Sequence, residues 1–372
     1  MRPYSAVVGA ALTAATLTAG VTVPANAVPQ RHVSCGQTAV KNAIRNLNKA
    51  GGGSLELARK CVYTLTTPDN STSGSNNGLP VITTKITIDG NGSTIRRSTK
   101  QGTPDFRILQ IKSPGHLSLS HLTMRDGRAQ GVGGGIWLNG TGTFLTLRDV
   151  EIRNNAAFTQ PNFTSAGGGI DNDGGTVTAR DTVIADNFAG NGGGMDQDDG
   201  TASFRNSKII DNTSSSSGGG IWASGTLSLT DSTVTGNSGS YGGVQGFGAG
   251  GGMNLSQATT RLTRTTISHN TQGGPVGDGG GIRNSGGRLT VDDSTIYANR
   301  TTGAGARGGG LANVNGATAT LNHSSVTYNV ANTDPGGILN EGGTVNLVST
   351  RVENNIRTNC TPSSPAVVGC TG

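Results

Sequence analysis

Apolar and polar residues alternate along this chain in short blocks, and the blocks recur. Leu145, Leu147, Val150 and Ile152 precede Asn155; Leu227, Leu229 and Val234 precede Asn237; Leu289, Val291 and Ile296 precede Asn299. A period of two places successive side chains on opposite faces of a strand. Ahead of each block stands a glycine run followed by one apolar residue, at Ile136, Ile170, Met195, Ile221, Met253, Ile282 and Leu311, with a shortened copy at Gly336-Gly337-Ile338. Each unit closes on an asparagine: Asn155, Asn187, Asn212, Asn237, Asn270, Asn299, Asn329 and Asn355, spaced 25 to 33 residues apart. Short strands in a unit of this size cannot bury a face alone, so successive units must stack. Parallel stacking sets equivalent residues about 4.8 Å apart along the axis. The pattern predicts an all-β chain, a single right-handed parallel β-helix solenoid.

Within a coil, the residue after the glycines and the alternating apolar residues point inward. The glycines permit a positive-φ corner and close packing of coils. The closing asparagines are read as a ladder of stacked amides, and Asn172, Asn284, Asn313 and Asn340 as a second one. Residues 36–60 follow another rule. Val40, Ala43, Ile44 and Leu47 have helical spacing and run into Gly51-Gly52-Gly53, which predicts a short amphipathic helix. A helix there caps the open end of the solenoid. The expected organisation is a signal peptide over 1–27, a cap over 28–78, coils over 79–355 and a stapled tail over 356–372.

Composition sharpens this picture. Glycine supplies 62 of 372 residues, aromatic residues 4% and charged residues 13%, too few large side chains for an ordinary globular core. Arg2, an apolar run from Ala6 to Val23 and Ala25-Asn26-Ala27 have the order of a secretory signal peptide, so the chain is expected to be secreted, extracellular and without a transmembrane segment. Of four cysteines, Cys35 and Cys61 stand near one end and Cys360 and Cys370 near the other. In a long solenoid only Cys35–Cys61 and Cys360–Cys370 can pair within one molecule, and an exported protein permits both bonds. A net charge of +6 favours anionic partners such as acidic polysaccharide. No glycine run leads into Lys-Ser/Thr and a helix, so neither a nucleotide nor a nucleic-acid partner is expected. The chain is expected to be a monomer.

The capping helix, the glycine turn and Cys61-Val62-Tyr63-Thr64-Leu65 resemble the start of pectate-lyase-like β-helix proteins. The Gly-Gly-Gly-Ile units that close on Asn resemble the repeats of polymorphic outer membrane proteins, though they lack that group's companion Phe-x-x-Asn. The resemblance covers residues 35–355 and implies the fold. For function it implies only a range, since the fold carries lyases, hydrolases and adhesins.

Stacking allows columns of outward residues to be read across coils. The column just after the motif's apolar residue runs Trp137, Asp171, Asp196, Trp222, Asn254, Arg283; two residues further on it runs Asn139, Asp173, Asp198, Ser224, Ser256, Ser285. Two adjacent coils therefore offer Asp171, Asp173, Asp196 and Asp198 as a two-by-two carboxylate grid, flanked by the only two tryptophans. Neighbours in such a grid stand about 4.8 to 8 Å apart, the range glycoside hydrolysis uses for its acid and base. Stacked like charges destabilise a sheet, which a raised pKa or a calcium ion on Asp171, Asp196 and Asp198 would offset. Trp137 and Trp222, with Asn139, are expected to hold sugar rings. The competing reading is four solvated aspartates beside turn glycines. Arg148, Arg180 and Arg205 form another column, read as a solvated charge row because Asp149 and Asp181 lie alongside. Thr233, Thr266 and Thr295 form a threonine row, read as ordinary β-surface. The sequence thus points to an extracellular polysaccharide-active or polysaccharide-binding protein, of hydrolase or lyase type if catalytic. The alternative is a non-catalytic surface or adhesion protein.

Overall fold

A computed structural model describes residues 31–72, 75–158, 165–239 and 248–372. The expected signal peptide lies outside the described residues. The chain forms one right-handed parallel β-helix with a single helix at its N-terminal end. Three stacks of strands make its walls, with 20, nine and seven strands among the described residues. Strand pairing is parallel throughout them, and only the hairpin Asn70–Thr72/Ser75–Asn77 is antiparallel.

The helix spans Gln37–Lys49 and buries Val40, Ile44 and Leu47 on the first coil. It shields the end of a stack that begins at Arg31–Val33, which pairs with Gly52–Leu57, which pairs in turn with Lys85–Arg97. Stacking therefore starts upstream of residue 79, where the sequence placed its first coils. The glycine triplet Gly51-Gly52-Gly53 opens the second of these strands, and a Cβ on Gly52 would meet the Lys85 carbonyl oxygen of the next coil at 2.5 Å. The Cys35–Cys61 disulfide fastens the helix side to this stack, and Cys360–Cys370 closes the tail. The tail covers the last coil: Val367 and Cys360 join the core, and Asn340 donates to the Pro365 carbonyl at 2.9 Å.

The glycine triplet acts through two separate effects. The first glycine takes the left-handed corner, as at Gly192 with φ 55°. The third lies against the next coil: a Cβ on Gly194 would meet the Gly220 carbonyl oxygen at 2.7 Å and the Asn212 amide at 3.0 Å. That amide belongs to an unbroken ladder. Asn155, Asn187, Asn212, Asn237, Asn270, Asn299 and Asn329 each donate from Nδ2 to the Oδ1 of the next, at 2.9–3.1 Å, and Asn355 ends the row on Asn359. Each also gives its backbone N–H to the same oxygen, as Asn187 does to Asn212 at 3.0 Å. Buried turn amides are thereby satisfied without water.

The second ladder is shorter than expected. Asn284, Asn313 and Asn340 are linked at 2.9 and 3.0 Å. Asn172 stands apart, because Gln197 occupies the next coil at its position, and it caps its own turn on the Gly175 carbonyl. A third row was not read from the sequence. Thr182, Ser207, Ser232, Thr265, Ser294, Ser324 and Thr350 follow left-handed corners of the large wall, and Thr182, Ser207, Thr265, Ser294 and Ser324 each donate their backbone N–H to the hydroxyl oxygen of the next coil's residue. The recurrent Asp-Ser/Thr pairs were the available signal.

Candidate functional site

The nine-stranded wall carries the predicted columns, and their register is as read. Trp137 pairs with Asp171, Asp171 with Asp196, Asp196 with Trp222, Trp222 with Asn254 and Asn254 with Arg283. Asn139, Asp173 and Asp198 follow two residues on. Ile136, Leu138, Ile170 and Met195 enter the core while Trp137, Asp171 and Asp196 stay outside it, so the column points away from the interior.

It is not exposed, however, and this corrects the sequence reading. Trp137 is 8% accessible and Asp171 and Asp196 are 6% each, whereas Asp173 and Asp198 are exposed. The cause is the chain that enters each motif strand. Its first glycine lies across the strand's outer side: a Cβ on Gly133 would strike the Trp137 Cβ, and one on Gly167 the Asp171 Cα and Cβ, at 2.6–2.7 Å. Successive glycines hydrogen-bond coil to coil, Gly168 to Gly192 at 3.2 Å and Gly193 to Gly218 at 3.1 Å, making a continuous cover. The grid thus divides into a covered inner pair and a solvated outer pair.

Neither inner carboxyl has a hydrogen bond or ion pair with any described residue. Burial, then Asp173 and Asp198, push the Asp171 carboxyl up to about 8, with Arg107 pulling the other way. Burial, then Asp171 and Asp198, push Asp196 well above its ordinary value, with no cation acting on it. Asp173 is also raised, by partial burial and by Asp198 and Asp199. Asp198 accepts from the Ser224 hydroxyl at 3.0 Å. Among the described residues no group of three or more His, Cys, Asp or Glu side chains is placed to hold a metal ion.

Arg107 is the residue the sequence did not offer. It is 1% accessible, its guanidinium lies 4.7 Å from the Trp137 ring centre, and it donates to Asn77 Oδ1 at 2.7 Å and to the Val132 carbonyl at 3.0 Å. Burial lowers its pKa to about 10, with Asp171 opposing. Trp137 is therefore packed beneath a cation, its Nε1 without a partner among the described residues, and its buried ring does not offer the sugar platform expected of it. Trp222 is half-buried and Asn139 likewise. A lyase would need a Lys or Arg base beside the carboxylates, and the arginines of the preceding coil are engaged elsewhere: Arg125 pairs with Asp126, and Arg128 pairs with Asp105 and stacks on Phe158 at 4.1 Å. In the arginine column, Arg180 pairs with Asp181 and Arg205 with Asp231, as a solvated charge row does.

No protein-family model matches the chain, and no curated protein sequence matches it. Among solved structures, the A-module of the mannuronan C-5 epimerase AlgE4 of Azotobacter vinelandii is similar at 14% identity and TM-score 0.48, over 93% of this chain and 98% of that one. The AlgE6 A-module of the same organism is similar at 13% identity and TM-score 0.40, over 90% and 96%. PfbA, a surface adhesin of Streptococcus pneumoniae, is similar at 8% identity and TM-score 0.40, over 85% and 89%. At these values no activity transfers to this chain.

Proposed function

We propose that this chain is an extracellular polysaccharide-acting protein in which Asp171 and Asp196 work as an acid–base pair. One observation carries the reading: two carboxyls stacked in adjacent coils are nearly buried and have no partner among the described residues. Holding such groups costs stability, and perturbed carboxyl pairs of this kind concentrate at functional sites. Two disulfides support an oxidising, extracellular setting.

The roles follow from the asymmetry of charge. Arg107 acts on Asp171 and not on Asp196, so Asp171 ionises first and serves as base while Asp196 keeps its proton and serves as acid. A glycan laid along the solenoid axis meets exposed Asp173 and Asp198 at the rim and the half-buried ring of Trp222 one coil on. Each inner residue keeps 6% of its surface accessible, and the reading requires that a substrate oxygen reach the pair there.

Reducing-end and unsaturated-product assays over neutral and acidic glycans, with calcium and with chelator, test this reading. Product formed by the wild type and abolished by Asp171→Asn and Asp196→Asn supports it. Glycan binding without product, unchanged in both variants, overturns the catalytic role and leaves a binding protein.

A further inference from the structure

Two to three coils beyond Asp196 on the same wall is a cavity of about 190 Å³ lined by Ser217, Gly248, Ala249, Asn254, Val276, Asp278 and Arg283. Two of its polar groups are unspent. Asn254 is 6% accessible and its buried Oδ1 has no hydrogen-bond partner among the described residues. The Arg283 guanidinium, half-buried, makes no hydrogen bond or ion pair with any described residue. The third is already engaged: Asp278 accepts from the Arg307 backbone N–H at 2.8 Å and its guanidinium at 3.2 Å, and Arg307 reaches on to Glu341 at 2.8 Å.

A buried acceptor without a donor is costly, and Arg283, whose nearby countercharge Asp278 is bonded to Arg307 instead, keeps its guanidinium donors free among the described residues beside the same cavity. The volume admits a small organic molecule rather than a single water. A ligand that satisfies both groups presents anionic oxygen to Arg283 and an O–H donor to Asn254 Oδ1. A guanidinium suits a planar carboxylate through its forked donors, and Val276 supplies an apolar wall for the carbon between the two groups.

We propose that this cavity is a binding site for a hydroxy-carboxylate, with the carboxylate on Arg283 and the hydroxyl donating to Asn254. The site stands independently of the Asp171–Asp196 pair. Its ligand is either a free small hydroxy acid or a sugar acid, which share this chemistry.

Isothermal titration of the full chain tests it with D-glycerate, its neutral analogue glycerol, propionate, which lacks the hydroxyl, and the galacturonate–galactose pair. The expected result is binding of D-glycerate or galacturonate at least about tenfold tighter than of the matching analogues. Tighter binding of galacturonate than of D-glycerate identifies a sugar acid, and the reverse a free acid. Arg283→Gln should weaken the acid at least about tenfold, Arg283→Lys should retain part of the binding, and Asn254→Leu should abolish the preference for D-glycerate over propionate. Asp171→Asn should leave binding unchanged, which separates this site from the proposed catalytic one. Failure of the wild type to bind either acid overturns the proposal, as does equal binding by folded Arg283→Gln and Arg283→Lys proteins.

Discussion

Asp171 stands directly beside Asp196 in parallel register, and Arg107 acts on the charge of Asp171 and not on that of Asp196. Two neighbouring carboxyls thus share one wall and one cover but not one electrostatic environment.

A stability dependence on pH follows from that placement. Asp171 titrates near 8 in the fold against an ordinary value of 3.8, so the native state holds a proton that the unfolded chain releases. Its contribution is complete below the unfolded value and is lost as pH rises through about 8. Asp171→Asn removes this loss. Thermal melts should show the variant more stable than wild type at pH 8, by on the order of 2–4 °C or more, and nearly equal at pH 4. Equal melts at both pH values would refute the burial of this carboxyl.

The catalytic reading makes a separate kinetic claim. If Asp171 is the base, activity rises as pH passes through about 8 and falls when Asp196 loses its proton. Arg107→Met withdraws the cation that favours ionised Asp171, so the rising limb should move to higher pH by about one unit. A rate–pH profile, with circular dichroism to confirm the fold, reads this directly; an unmoved limb would assign the base elsewhere.

Asn237 accepts from both the backbone and side-chain nitrogens of Asn212 at 3.0 Å, and donates to Ile209 and Asn270. Asn237→Ala leaves several buried groups unpaired and should cost about 2–4 kcal/mol in denaturant unfolding. The exposed Asn346→Ala should stay within about 0.5 kcal/mol.

Gly194→Ala drives a methyl toward the Gly220 carbonyl and the Asn212 amide. Neither can retreat without breaking the ladder, so the variant should lose about 1–3 kcal/mol by overpacking, measurable in the same unfolding experiment.

The Cys35–Cys61 bond closes a separation of 26 residues and Cys360–Cys370 one of 10. Loop-closure entropy makes the former the stronger staple, at about 3 kcal/mol. Cys35→Ser/Cys61→Ser should lower the Tm more than Cys360→Ser/Cys370→Ser.

Much of the fold was legible because each coil repeats the same physical solution. The glycine corner, the inward Ile or Met and the closing asparagine sit at fixed offsets, so alignment of the text is alignment in space. Where a coil departs from the repeat the reading slipped: Gln197 interrupts the second asparagine row, and the strands before residue 79 stack without the apolar residue and closing asparagine that mark later coils. The candidate site was legible in register only. Arg107 belongs to a coil whose Phe106-Arg107-Ile108 carries no motif, and nothing local in the sequence says that an arginine there turns in over Trp137.

What the sequence by itself determined is periodicity: which residues recur, which therefore stack, and which face of a strand each occupies. Those follow from strand pleat and from hydrogen bonding between neighbours, which are local. Whether an outward side chain meets water was decided only by the tertiary structure, because the cover over Asp171 and Asp196 comes from backbone entering each coil. A glycine has no side chain to announce what it will lie upon.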